Sequence, residues 1–334
     1  MSSPDSPDSP NTNNNNNNNN SSSSGSKLRE LISTLPKEER WSSSSDLYQY
    51  QGFWYPLIML DRILSLQQHH FQPLPASDLI MIAALCFAIS TRTSNQTSPL
   101  ITNLPHALIP ILEFTHPKSP TTTTTTTTSP RFLSTHLPLA SLPESILSSG
   151  CKFIYICRDP KDTFVSLWHY ERQITNLSPN EESMNLVREF DRFCQGKVAL
   201  GPYLDHVLGF YKASTDNPDK FLFLKYEEVK GDTVYYVKKL ADFMDMSFTD
   251  EEEAEGLPQK IAKLCSFEDM SNLEVNKNGK THLIGPYEVD NSAYFRKGQI
   301  GDWKNYLTPE MVDRIDRLEE EKLKGSGFKF SPSN

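Results

Sequence analysis

No two of the five cysteines are spaced as C-x-x-C; they stand at 86, 151, 157, 194 and 265. That odd count and scatter exclude a disulfide framework and a zinc knuckle, and they fit reduced, mostly buried thiols in a cytosolic protein. The eight histidines include no H-x-x-x-H pair, so no metal site is expected. Long apolar runs are also missing. The longest, Leu79 to Ile89, has 11 residues, against the roughly 20 that span a bilayer. Positive charge is scarce, with 33 Lys and Arg against 42 Asp and Glu and a net charge of −9. A general nucleic-acid binder needs a basic field, so that class is excluded, while a local basic site for one small anion is not. Residues 1–26 contain no Arg and no apolar core, and so resemble neither a signal nor a transit peptide. A cytoplasmic location, with no membrane contact, is the resulting expectation.

Two stretches lack the apolar groups whose burial offsets ordering entropy. Residues 1–26, with the Asn13–Asn20 tract, read as a disordered Ser/Asn-rich tail. Residues 115–129, with the Thr121–Thr128 tract, read as a flexible loop inserted into a domain spanning about 46–331. The 334-residue length suits one large α/β domain.

Residues 28–35 and 52–70 read as helices, the second with Trp54, Leu57, Ile58, Ile63 and Leu64 on an apolar face. Lys152 to Cys157 reads as a buried strand, followed by Asp159 as a cap and Pro160 as the first residue of a helix. Lys220 to Tyr226 and Thr233 to Met244 repeat the strand-then-helix unit, the helix with Val234, Val237, Leu240, Ala241 and Met244 inward. Such units indicate a parallel sheet covered on both faces.

Ligands of such a sheet bind beyond the carboxyl ends of its strands. Arg158 stands at one of those ends, with Ser166 two turns along the following helix, and a guanidinium beside helix-start amides suits a phosphate. Arg296-Lys297-Gly298 places two cations beside a residue that lets phosphate approach the backbone. Tyr226 offers a phenol at the second strand end. His136, in Ser134-Thr135-His136-Leu137-Pro138, is placed where a strand leaves the sheet. Each is also compatible with a purely structural role: an Arg-Asp pair, a solvated basic turn, a half-buried tyrosine, a core histidine.

In this order the fragments resemble the plant cytosolic sulfotransferases, which transfer the sulfuryl group of 3′-phosphoadenylyl sulfate (PAPS) to a small-molecule hydroxyl. The matching stretches are Asn103-Leu104-Pro105-His106, Ser129-Pro130-Arg131, Thr135 to Pro138, Cys157 to Tyr170, Phe223 to Val229, Cys265 to Lys277, and Phe295 to Lys304. The resemblance implies a P-loop-type α/β fold with a central parallel sheet flanked by helices. It implies His136 as the catalytic base, a role that suits an imidazole. Arg158, Ser166, Arg296, Lys297 and Gly298 are implied as the 3′-phosphate clamp. Tyr226, Cys265, Phe267 and Met270 are implied as adenosine-side contacts. PAPS is the implied cosubstrate, with no metal. The partner is a small-molecule hydroxyl of flavonoid, hydroxyjasmonate or steroid type, and the oligomeric state stays open.

One departure stands out. Members of this family carry a loop of the type Pro-Lys-Ser-Gly-Thr-Thr-Trp between a strand and a helix, and its amides and Lys hold the 5′-phosphosulfate. Here Ser77 to Ile80 is the expected strand and Ala84 to Ile89 the expected helix, and they run together without a glycine. Pro117-Lys118-Ser119-Pro120-Thr121-Thr122 imitates the motif by coincidence, since Pro120 replaces the glycine and no helix can follow in the Thr tract. No G-x-x-x-x-G-K-[ST] signature supports a nucleotide kinase. Three readings stay open: a sulfotransferase of impaired activity, a non-catalytic nucleotide- or small-molecule-binding relative, and an active enzyme whose gene model has lost a segment.

Overall fold

A computed structural model describes residues 30–39, 46–68, 78–80, 83–92, 98–114, 131–174, 185–282 and 288–331. The Asn-rich tail 1–26 and the Thr-rich loop 115–129 lie outside the described residues. The chain divides into two units, Met1–Pro36 and Lys37–Asn334. Of the first, residues 30–34 form a short helix, inside the 28–35 expectation.

The second unit opens with an antiparallel meander of β1 (Lys37–Glu38), β2 (Leu47–Tyr50) and β3 (Phe53–Pro56). This corrects the reading of 52–70 as one helix, which begins only at Leu57 and runs to Gln68. The reason is local. Gln51 and Gly52 both have positive φ, 52° and 85°, the backbone of a two-residue hairpin turn. The aromatic run Phe53-Trp54-Tyr55 then pairs with β2 instead of coiling. The helix also turns a different face inward. Leu60, Ile63 and Leu66 are buried, whereas Leu57 and Ile58 are exposed.

The central sheet has the order β5-β4-β6-β7 and is parallel throughout: β4 is Asp78–Ile80, β5 Arg131–Phe132, β6 Lys152–Cys157 and β7 Phe221–Lys225. Alternate residues face opposite sides, as strand geometry requires. Ile154 and Leu224 join Leu85, Cys86, Ile89, Val237, Leu240 and Ala241 in one buried cluster. Cys157 joins Val207 and Phe328 on the other face, with Tyr155 and Phe223 packed against them. The helices Ala83–Ser90 and Thr233–Phe243 cover the first face, and Tyr203–Asp216 covers the second. Each fully buried Leu, Val or Phe contributes roughly 1.5–3 kcal/mol relative to exposure, so these clusters hold the layers together. Of the expected inward positions on Thr233–Phe243, Val237, Leu240 and Ala241 are buried, as is Met244 just beyond it, while Val234 is only partly so.

The helix after β6 starts at Pro160 and runs to Ile174. Asp159 caps it as expected, its Oδ1 accepting from the N–H groups of Lys161 (2.8 Å) and Asp162 (3.3 Å). Two further short strands, β8 (Lys280–His282) and β9 (Glu288–Asp290), form a separate antiparallel pair. The register of β4 matters for function. Ile80 pairs with Phe153, four residues before β6 ends at Cys157. At about 3.3 Å per residue, that pairing lies roughly 13 Å from the end of β6.

Candidate active site

Where β6 ends, the chain turns sharply at Arg158 and Asp159. Tyr203 fixes the turn: its hydroxyl donates to the Arg158 carbonyl (2.6 Å) and accepts from the Arg158 N–H (3.0 Å). The guanidinium is thereby held over the sheet edge, 4.8 Å from the centre of the Tyr226 ring. One terminal nitrogen donates to the Gln299 carbonyl at 2.5 Å and lies 3.3 Å from Asp162 Oδ2. Its Nε is buried with no hydrogen-bond partner among the described residues, a donor free for an anion.

Gln299 is 141 residues away, and two buried carboxylates explain how its segment reaches β6. Asp162, 1 % exposed, accepts from the N–H groups of Gly301 (2.7 Å) and Trp303 (3.0 Å). Asp302, 3 % exposed, pairs with Arg296 at 2.6 Å and Lys297 at 2.9 Å. Burial opposes its charge, but the two cations win and hold its carboxyl at about 2. Gly298 has φ 59°, and a Cβ there would stand 2.3 Å from the Phe267 ring, so both conformation and space require glycine. Its carbonyl accepts from Lys230 Nζ and, at 3.4 Å, from the Tyr226 hydroxyl.

Arg158, Tyr226, Phe267, Arg296, Lys297 and Gly298 are thus brought to one edge of the sheet. Tyr226 is the first residue of a short helix, Tyr226–Gly231, that directly follows β7. Phe267 is exposed and lies against Gly298. Ser166 is half-buried on the Pro160–Ile174 helix, about two turns past Arg158. Cys265 and Met270 turn inward. Cys265 packs on the core beside Cys86, and burial pushes its thiol up to about 12. Met270 is 3 % exposed.

His136 lies beyond β5, after a parallel bridge between Ser134 and Ile111. Its side chain is half exposed. Glu113, fully buried, sits beneath it: Oε1 is 2.7 Å from His136 Nδ1 and accepts the His136 backbone N–H at 2.9 Å. Oε2 accepts from the Thr135 hydroxyl at 2.8 Å. Burial alone lowers the imidazole pKa, but the hydrogen bond and charge of Glu113 outweigh it and raise it above the ordinary value. His206 Nε2 lies 3.1 Å from the His136 carbonyl, and Tyr155 meets His206 Nδ1 at 3.0 Å. His106 stacks on Tyr294, whose hydroxyl accepts from Tyr170 at 3.3 Å.

Sequence reasoning missed Glu113, Asp162 and Asp302. The signal for Glu113 was one carboxylate inside the apolar run Leu108 to Phe114, where a charge must find a partner. Asp162 and Asp302 gave none beyond lying inside the singled-out segments.

The structure thus places basic side chains at the carboxyl edge of a parallel sheet and a histidine on a buried carboxylate, and the similarity to known proteins gives the family. Residues 77–327 match the sulfotransferase domain model, and the chain belongs to the plant cytosolic sulfotransferase family. It is 44% identical to cytosolic sulfotransferase 17 of Arabidopsis thaliana, over 91% of this chain and 90% of that one. It is 43% identical to flavonol 3-sulfotransferase of Flaveria bidentis, over 90% of this chain and 99% of that one. The solved structure of mouse sulfotransferase SULT7A1 complexed with PAP is similar at a TM-score of 0.59 and 28% identity, over 84% of this chain and 95% of that one. The family's reaction is sulfuryl transfer to the hydroxyl of a small molecule.

Proposed function

We propose that the chain is a PAPS-type sulfotransferase whose site retains its 3′-phosphate end and its base but lacks the 5′-phosphosulfate cradle. The carrying observation is the convergence of Arg158, Tyr226 and the 296–299 segment at the carboxyl edge of a parallel sheet. The unpartnered Arg158 Nε and the required glycine at 298 fit a 3′-phosphate approached by side chains and backbone. When bound, the nucleotide supplies the sulfuryl group. Arg158, Arg296, Lys297 and Gly298 hold its 3′-phosphate, with Ser166 on the same side, and Tyr226 and Phe267 flank the adenosine. Cys265 and Met270 back that wall from the core. His136 takes the acceptor's proton at Nε2, since Nδ1 is committed to Glu113.

The other half does not fit. Only Met81 and Ile82 separate β4 from the Ala83–Ser90 helix, with no glycine and no lysine between them. The sequence between them has neither the glycine nor the lysine with which the family loop holds a phosphosulfate. Losing one preorganised donor typically costs about 10²–10³ in rate. Losing the whole cradle costs on the order of 10⁴ or more even without additivity. The acceptor side supports an aromatic or alicyclic hydroxyl of flavonoid, hydroxyjasmonate or steroid type, with the stacked His106 and Tyr294 as its flat wall. A cytoplasmic site of action agrees with the names of the relatives. The short β4–helix junction favours a second reading, a non-catalytic nucleotide binder.

The test inserts a Pro-Lys-Ser-Gly-Thr-Thr-Trp loop with flanks between Ile80 and Ala84. Turnover with PAPS and a flavonol should rise by about 10⁴ and vanish on His136→Ala. Turnover by the unmodified chain at the level of the loop-restored one would refute the impaired-cradle reading. Absence of turnover in both would leave the non-catalytic binder in its place.

A further inference from the structure

We infer that Glu113 is a positioning residue that fixes the tautomer and orientation of His136. The inference rests on His136 being the base, and it adds a group that sets how that base works. Ionised, a carboxylate only accepts hydrogen bonds. Both oxygens of Glu113 are spent on one dipeptide: Oε2 on the Thr135 hydroxyl, and Oε1 on the backbone N–H and Nδ1 of His136. Thr135 Oγ1 in turn accepts the Leu137 N–H at 3.1 Å, which closes the local ring. Neutral His136 must therefore carry its proton on Nδ1. That leaves the Nε2 lone pair on the half-exposed side, with no protein partner among the described residues.

The platform under the carboxylate is rigid. Glu113 lies in the 3-10 turn Leu112–Phe114, whose Leu112 N–H donates to the Ser134 carbonyl at 2.7 Å. The Ser134 N–H donates back to the Pro110 carbonyl at 2.9 Å. The two segments are thus zipped together just before the residues that meet. The other titratable groups around His136 are His106, on Pro105–Leu108, and His206, on Tyr203–Asp216. Burial brings each to about 4, so both are neutral where His136 titrates. Glu113 is then the charged group that governs it.

The experiment is imidazole ¹⁵N–¹H NMR on the full chain, with His136 assigned by His136→Ala, and with Glu113→Gln and Glu113→Asp compared. In the unmodified chain neutral His136 should be the Nδ1–H tautomer and titrate above 6.5. Glu113→Gln should lower that midpoint and mix the tautomers, and Glu113→Asp should restore part of both. An Nε2–H tautomer in the unmodified chain, or an unmoved midpoint in folded Glu113→Gln, overturns the inference. The first readout needs no variant at position 113, so a failure of Glu113→Gln to fold leaves the test intact. A second arm separates this inference from the reading beneath it. In the loop-restored chain Glu113→Gln should reduce kcat at least about tenfold and move the acid limb of the rate profile to lower pH. Turnover surviving His136→Ala would remove the base assignment while leaving the tautomer result standing. Loss on His136→Ala with an unmoved acid limb in Glu113→Gln would remove Glu113 alone.

Discussion

Strands β4 and β6 are neighbours in one parallel sheet, and each runs into a helix towards the same edge. After β6 the chain spends two residues, Arg158 and Asp159, on a cation and a helix cap. After β4 it also spends two, Met81 and Ile82, and both are apolar. β6 reaches the edge, and Ile80 of β4 pairs with Phe153, four residues before it. Topology alone therefore does not make an anion site. The strand must reach the edge, and the turn must carry charge, a cap or a glycine. The β6 end has these, reinforced by a segment 141 residues away that two buried carboxylates anchor.

Arg158→Ala should remove most of what distinguishes the β6 end. A charge-assisted hydrogen bond is worth about 1.5–3 kcal/mol, so affinity for adenosine 3′,5′-bisphosphate should fall roughly tenfold to a hundredfold. Unchanged affinity would place the anion elsewhere. Gly298→Ala tests the backbone of the same site. The left-handed φ and the Phe267 contact should cost about 1–3 kcal/mol, read as a lower Tm together with weaker nucleotide binding. An unaltered Tm would mean that the 298 turn is not needed to bring Arg296 and Lys297 to β6.

A further expected effect is a pH dependence of stability set by buried histidines. His106, His169 and His206 each titrate near 4 because burial disfavours their charged form. Their unfolded values lie near 6.5, so between pH 6.5 and 4 the unfolded chain binds more protons and stability falls as pH falls. Each contributes a slope of at most about 1.4 kcal/mol per pH unit. His136 acts the other way: its raised value adds stability below pH 6.5 that is lost as pH rises through its folded value. The three depressed histidines outnumber it, so calorimetry should give a lower Tm at pH 4.5 than at pH 7. A flat profile would mean that these imidazoles are hydrated.

Much of the β6 half was legible in the sequence. The run Phe153 to Ile156, the Arg158-Asp159-Pro160 break and the helix behind it were readable because apolar period, cap and proline all agree locally. Gly298 was readable because glycine beside cations has few other uses. The hairpin at Phe53 was missed because an aromatic-rich segment fits either a strand or a helix until its turn geometry is known. Glu113 was missed because its partner lies 23 residues away, across a tract of low complexity. Contacts made by folding, like the Asp162 and Asp302 anchors, leave little local pattern.

The proposed function gives the chain one half of a nucleotide site and not the other. Calorimetric titration of the unmodified chain with adenosine 3′,5′-bisphosphate and with 5′-AMP tests it most directly. A site of that kind predicts at least about tenfold tighter binding of the bisphosphate, from the 3′-phosphate contacts alone. It also predicts that restoring the loop after Ile80 strengthens both nucleotides by a similar factor. Equal affinity of the unmodified chain for the two nucleotides would contradict it.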